Sequence, residues 1–305
     1  MRVMVTGGAG FIGSHLVDRL MALGCEVVVV DNLFRGRLRN IEKHLNKPTF
    51  HFHQTDIRNY EALKKHMQGC NIVFHLAAQS NVMGALQDSD YSFESNVMGT
   101  YQVLKAAREN GVERLIFSSS REVYGEAKYI PVDEKHPLAP KNFYGASKVA
   151  GEKYCEIFQH MDYFEVVIIR LANVYGQRDY QRVIPIFIEN LQKDEDIHIY
   201  GGDQIIDFIA IEIVAETFIQ TMNSSKVLND PINVGSGKGT TLFELAQRLK
   251  GLLATQGKII VDPPRKIEVV RYTADIRRFR SIFDIPIPDD ALYYLPVMID
   301  KDSGP

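Results

Sequence analysis

Cysteine is scarce in this 305-residue chain: Cys25, Cys70 and Cys155 are the only three, far apart and at no metal-ligand spacing. So sparse and odd a set argues against a thiolate metal site and suits a reducing compartment. A basic excess is missing too. Thirty-five Lys and Arg stand against 38 Asp and Glu, which builds no positive face for nucleic acid or anionic membrane. No apolar run approaches the roughly 18 residues of a membrane span, and Val3 to Val5 is too short and too early for a signal peptide. No repeat period and no low-complexity linker occurs. The expectation is a cytoplasmic protein without membrane or nucleic-acid partners. What is present is an ordinary globular composition, 45% hydrophobic and 24% charged, which excludes disorder, collagen and coiled-coil rods.

Apolar runs alternate with helix-period segments through the first half. Arg2-Val3-Met4-Val5-Thr6 ends in glycines, and Phe11, Ile12, Leu16, Leu20 and Leu23 follow at helical spacing. Glu26-Val27-Val28-Val29-Val30 is a continuous apolar strand, the kind buried on both faces of a parallel sheet. Further strands are expected over residues 49–53, 72–76, 115–118 and 166–171, and helices over 60–67, 94–108 and 144–160. This alternation predicts an α/β fold, a doubly wound parallel sheet of the Rossmann type. Beyond about residue 172, Pro185, Gly201-Gly202, Pro231 and Pro263-Pro264 break the pattern into shorter elements. The expected division is a nucleotide-binding domain over 1–172, rejoined by about 205–235. A smaller, irregular α/β lobe for substrate would use 173–204 and 236–305.

Thr6-Gly7-Gly8-Ala9-Gly10-Phe11-Ile12-Gly13 occupies the first strand-to-helix turn. Such a turn needs a bare backbone that pyrophosphate can approach, and the helix start offers it unpaired N–H groups. Asp31 stands 18 residues past Gly13, at the end of the second strand. A carboxylate there takes both ribose hydroxyls and repels a 2′-phosphate, so NAD is expected over NADP. Arg35 and Arg37 are read as solvated loop charges or substrate contacts. Tyr144 and Lys148 lie four apart, on one face of a helix that starts near Lys141-Asn142. A phenol titrates near 10, and a nearby ammonium favours its ionised form. Ser118-Ser119-Ser120 closes a strand at the edge where open α/β sheets bind ligands. His51 and His53 alternate along a strand without acidic neighbours, so no metal is expected. Gly235 to Thr240 misses the phosphate-loop register and reads as a turn, with Thr240 or Thr241 capping the next helix and Glu244, three residues after Thr241, completing a capping box.

These residues together carry a resemblance to the extended short-chain dehydrogenase/reductase family, among its NAD-dependent nucleotide-sugar epimerases and dehydratases and nearest to the UDP-glucose 4-epimerase group. It rests also on Asp56-Ile57-Arg58, His75-Leu76-Ala77-Ala78, Asn96 to Thr100, Ser118 to Gly125 and Arg170 to Gly176. The resemblance implies a cofactor site of Gly7, Gly10, Phe11, Ile12, Gly13, Asp31, Asn32, Asp56, Ile57, Leu76, Ala77, Ala78, Asn96, Ser118, Tyr144 and Lys148. It implies that Tyr144 is the base at sugar O4, that Ser120 bonds O4, and that Lys148 holds the cofactor ribose and keeps Tyr144 ionised. Asn173, Val183, Arg178 and Arg265 would join Ser120 and Tyr144 in holding substrate; for Arg265 a solvated basic stretch is the equal alternative. The implied activity is 4-epimerisation of a nucleotide sugar, a UDP-hexose or close relative, in a homodimer.

Two positions depart from the family pattern. Ile206 stands where most relatives carry an arginine before Asp207-Phe208. Arg121-Glu122 stands where dehydratases carry an Asp-Glu pair, leaving Glu122 either a structural group or a C5 base. Dehydration or decarboxylation after the same C4 oxidation is therefore the rival reading, with a non-catalytic nucleotide binder behind it.

Overall fold

The computed structural model describes residues 1–224, 228–265 and 269–299. Its frame is a parallel sheet built from β1 (Arg2–Thr6), β2 (Glu26–Asp31), β3 (Phe50–Gln54), β4 (Ile72–His75), β5 (Arg114–Ser120) and β6 (Glu165–Leu171). Each expected strand is there, within a few residues of its expected ends. Between them run α1 (Phe11–Ala22), α2 (Tyr60–His66), the short α3 (Val82–Gln87) and α4 (Ser89–Phe93), α5 (Gly99–Glu109) and α6 (Phe143–His160). The single helix expected over 94–108 is instead a wide π turn at Glu94–Met98 followed by α5.

The continuous apolar runs face both ways. Val3, Val5, Val27, Val29 and Ile116 pack on one side with Leu16 of α1, while Met4, Val28, Val30, Leu115 and Phe117 pack on the other with Leu63 of α2, Val103 of α5 and Phe158 of α6. Two covered faces are what a strand of uninterrupted valines requires.

The rest of the chain adds β7 (Asn173–Tyr175), α7 (Val183–Gln192), β8 (Ile197–Tyr200), β9 (Ile205–Ala210), α8 (Ile211–Asn223), β10 (Ile232–Val234), β11 (Gly239–Thr241), α9 (Leu242–Leu253) and β12 (Ile259–Asp262). The seven-stranded order is β10-β6-β5-β4-β1-β2-β3, so the winding reverses between β1 and β4. Clefts for ligands open at that reversal, beyond the strand carboxyl ends. Of the segment expected to return to this sheet, α8 packs on α1 and β10 lines up parallel with β6. β9 does not join it: it pairs with β7 and β11 in a separate three-stranded sheet. The reason is Asp207, fully buried, whose carboxylate accepts from Ser236 N and Oγ (2.7 Å each), Gly237 N and Ala274 N (3.0 Å each). Ser236 and Gly237 tie β9 to the loop before β11, and Ala274 ties it to the carboxy-terminal part of the chain. Thr241 and Glu244 form the expected capping box on α9. No helix among the described residues is long and apolar enough to cross a membrane.

Candidate active site

The glycine loop is a cradle built by steric necessity. Gly7 has φ +74°, and a Cβ there would lie 2.8 Å from Ala77 N. Gly13 is packed against the Gly7 carbonyl, with no room for a side chain. α1 begins at Phe11 with Gly10 as its uncapped start, so no side chain covers its first-turn N–H groups, and Gly10, Phe11, Ile12 and Gly13 all line the cleft. Such a helix end suits an anion. Asp31 lines the same cleft and accepts from Ala9 N (3.0 Å) and Leu33 N (2.8 Å). Burial pushes its pKa up and those two donors pull it back. A carboxylate has about four acceptor positions, which leaves room for ribose hydroxyls. A pyrophosphate cradle and a ribose acceptor at this spacing fit NAD.

Not every expected cofactor contact reaches the cleft. Ile57, Leu76, Ala77 and Ala78 line it; Asp56 and Asn96 do not. The Asp56 carboxylate is engaged by Arg58 (N 2.9 Å, Nε and Nη2 3.0 Å) and by Asn32 Nδ2 (3.0 Å). Asn96 stands behind the wall, accepting from Gln79 N (2.7 Å) and donating to Ser147 Oγ (2.9 Å). It thereby joins the Leu76–Ala78 loop to α6.

A buried chain that sequence reasoning gave no role supports that loop. Thr6 Oγ1 lies 2.7 Å from His75 Nδ1, His75 Nε2 lies 3.0 Å from Thr100 Oγ1, and Thr100 donates to Asn96 O (2.6 Å). Because the Thr100 proton goes to that carbonyl, Nε2 must carry the imidazole hydrogen and Nδ1 must accept from Thr6. Burial lowers the His75 pKa to about 3, so the ring is neutral. Thr6 Oγ1 then accepts from Ala77 N at 3.2 Å, under the cofactor wall.

On the reaction side, Asn142 caps α6 by accepting from Gly145 N (2.8 Å), which sets Tyr144 in the first turn. Ser118, Ser120, Tyr144 and Lys148 all line the cleft. Lys148 Nζ donates to Ser118 O at 2.8 Å, and burial lowers its pKa to about 8. Ser120 Oγ accepts from Glu122 N (3.2 Å), which leaves its hydroxyl proton for Tyr144. The Tyr144 pKa is pushed up by burial, and pulled back by the charge of Arg182, by the Ser120 hydroxyl and by Arg35. Lys148 stands beside Tyr144 on α6. Its ammonium is drawn to the carbonyl at the end of β5, 5.9 Å from the Tyr144 ring centre. The fold adds two loop arginines to the charges that favour ionised Tyr144. Arg35 is anchored on Ser80 Oγ (3.2 Å), and Arg182 lies 5.3 Å from the Phe11 ring centre and 3.8 Å from buried Asp179. Replacing Arg182 by Gln is expected to raise the Tyr144 pKa, so the rise of turnover with pH should move to higher pH. A pH–rate profile of the variant with an unmoved acidic limb would remove Arg182 from this role.

At the far end, Asn173, Val183, Arg178 and Arg265 line the cleft as expected, and Ile206 leaves an apolar spot where an arginine is usual. Arg178 is tethered to α1, its Nη2 2.7 Å from Asp18 Oδ2, and Arg265 lies over the Tyr200 ring at 3.6 Å. Glu122 is buried, with Oε1 3.0 Å from Arg121 Nη2 and Oε2 accepting from Asn142 Nδ2 at 2.8 Å. Among the described residues, seven Lys and Arg side chains line this cleft of about 1000 Å³ against three carboxylates, in a chain whose formal charge is −3. The cleft lining thus carries a net positive charge, as suits an anionic ligand. Arg182, Asp179, Tyr200 and Gln204 were not picked out from the sequence. For Arg182 the only signal was its place directly before Val183-Ile184-Pro185.

The sequence profile of the NAD-dependent epimerase/dehydratase family matches residues 3–235. The chain belongs to that family. It is 37% identical over 287 residues to a putative UDP-glucose 4-epimerase of Methanocaldococcus jannaschii, covering 92% of each chain. It is 31% identical to UDP-glucuronic acid decarboxylase 1 of Danio rerio, over 92% of this chain and 68% of that one. The crystal structure of UDP-glucose 4-epimerase from Thermotoga maritima with UDP-glucose superposes with a TM-score of 0.92 at 32% identity, covering 98% of this chain and 97% of that one. The cofactor of this NAD-dependent family member is NAD. The family spans several reactions, and Arg121 and Glu122 are where this chain gives a physical reason to choose.

Proposed function

We propose that the protein is an NAD-dependent nucleotide-sugar 4-epimerase acting on a UDP-hexose or close relative. The observation that carries this reading is the Arg121–Glu122 pair. Elimination at C5–C6 needs a carboxylic acid to protonate the leaving 6-hydroxyl and a carboxylate to take the C5 proton. The acid's position is Arg121, which keeps its proton at neutral pH. Both Glu122 oxygens are engaged within the protein, by Arg121 and by the Asn142 amide. What remains is chemistry at C4.

Bound NAD supplies the hydride acceptor and returns the hydride. Ionised Tyr144 takes the O4 proton, Ser120 hydrogen-bonds O4, and Lys148 holds the cofactor ribose. Arg178 and Arg265 bind the diphosphate, about which the 4-keto sugar turns; reduction on its other face inverts C4. Decarboxylation is the second reading, favoured by the likeness to the Danio rerio decarboxylase. A binder without turnover leaves the intact Ser120, Tyr144 and Lys148 set unexplained.

A homodimer is supported by a face of α5 and α6 on which Tyr101, Tyr154, Ile157 and Met161 stay exposed beside one another. A cytoplasmic setting is supported by three free, buried cysteines.

The deciding experiment incubates the NAD-loaded protein with a panel of UDP-sugars in deuterated water. Unchanged mass with inverted C4 and no deuterium at C5 is expected, and Glu122→Gln should keep most of the activity. Loss of water or carbon dioxide would overturn the reading. So would a roughly 10³-fold loss in Glu122→Gln at normal NAD content, which would make Glu122 the C5 base.

A further inference from the structure

Asn173 presents a choice that the cleft itself does not make. A side-chain amide can turn either its oxygen or its NH2 group outward, and the two ends differ little in size. Toward an anionic oxygen the difference is large, because the NH2 end donates and the carbonyl end repels. Something must therefore fix the rotamer before ligand arrives.

We propose that Arg121 is a positioning residue that orients the Asn173 amide so that its NH2 group meets a diphosphate oxygen of the substrate. This rests on the nucleotide-sugar reading above. Arg121 Nε donates to Asn173 Oδ1 at 2.7 Å. A guanidinium N–H accepts nothing, so only the amide oxygen can sit there, and the NH2 group is turned away. Asn173 lines the cleft, and among the described residues its NH2 makes no hydrogen bond. The guanidinium is itself held. Nη2 lies 3.0 Å from Glu122 Oε1, and the Arg121 side chain is only 11% exposed. Its carbon centre lies 5.6 Å from the Tyr272 ring centre.

The chain of contacts continues into the reaction side. Glu122 Oε2 accepts from Asn142 Nδ2, and Asn142 Oδ1 accepts from Gly145 N, both at 2.8 Å. The Asn173 amide and the first turn of the helix bearing Tyr144 are therefore braced by one ion pair. This gives Arg121-Glu122 a use that requires neither residue to exchange a proton. A small residue at position 121 would leave the amide free to turn. A carboxylate there would attract the NH2 end and present the oxygen to the ligand.

The test is a double-mutant cycle on the NAD-loaded protein, with UDP as the probe, read by calorimetric titration. Arg121→Ala and Asn173→Ala are each expected to weaken UDP binding by about tenfold, the loss of one good hydrogen bond to an anion. The double variant should be no weaker than either single one, because Arg121 acts through Asn173. In turnover the Arg121 variant should show a raised KM with kcat little changed and NAD retained. Arg121→Lys, which can still donate to the amide oxygen, should recover part of the affinity. Should Arg121→Ala lose its fold, Asn173→Asp in the intact chain decides: it keeps the Arg121 partner but removes the donor, and should bind UDP no better than Asn173→Ala.

Additive losses in the cycle would show that Arg121 contacts the ligand itself and would overturn the proposal. Native affinity in Arg121→Ala or in Asn173→Asp would do the same. A native protein that binds no UDP at all fails differently: it removes the nucleotide-sugar reading, and the donor's ligand with it.

Discussion

Tyr144→Phe should abolish turnover while NAD and sugar nucleotide stay bound. The substitution removes one oxygen from a ring that remains packed in the first turn of α6, with its Asn142 cap intact. Loss of a general base costs about 10² to 10⁴ in rate. Ser118 O, the Lys148 ammonium and the Asp31 carboxylate are untouched, so affinity for NAD should not move. Single-turnover kinetics with a UDP-hexose, beside a cofactor titration, checks both halves. Near-native turnover in the Phe variant would place the base elsewhere and break the assignment of Ser120, Tyr144 and Lys148 as one unit.

The second large effect lies behind the site. Glu152 is fully buried on α6, and Arg170 of β6 meets it with Nη2 at 2.7 Å and Nε at 3.0 Å. Ser119 Oγ donates to the same carboxylate, and Arg170 Nη1 donates to Tyr124 OH (2.9 Å), which donates to Asn233 Oδ1 of β10 (2.7 Å). The network joins β5, β6, β10 and α6, the elements that hold the serines and Tyr144. Arg170→Met should destabilise the fold by about 3–5 kcal/mol, since it leaves a carboxylate buried without its cation. Replacing both partners, Arg170→Met with Glu152→Leu, should recover much of that loss because no uncompensated charge remains. Denaturant midpoints of the three variants test this. Equal losses in single and double variants would mean that packing, rather than the buried charge, sets the cost.

The legible parts of this protein share a property: their constraint lies within a few residues. Gly7 and Gly13 announce a turn that no side chain fits. Alternation of valine runs with helix-period segments announces a sheet covered on both faces, and Asn142 and Thr241 announce helix starts. Each is a local demand of the backbone, and the structure meets each. Where the demand is long-range, spacing alone does not find the partner. Lys148 stands four residues from Tyr144 and its ammonium bonds Ser118 O, while Arg182, 38 residues away, adds a favourable charge. Asp56 matches a motif, and the fold adds Arg58 and Asn32 as partners of its carboxylate. β9 is a convincing strand whose sheet was decided by four donors to Asp207 from residues 29 to 67 positions further on.

The sequence by itself determined the fold class, the anion-binding character of the cofactor cradle and the presence of Ser120, Tyr144 and Lys148, the three residues proposed for the reaction. Those follow from backbone sterics, burial periodicity and side-chain chemistry, all of which are written residue by residue. Only the tertiary structure decided which cation faces Tyr144, which acids are already paired, and that Arg121 meets Asn173 across 52 residues of chain. Electrostatics and hydrogen bonding act through space at 3 to 6 Å. Which groups come that close is fixed by how β5, β7 and the loop before α7 converge at the sheet's open edge.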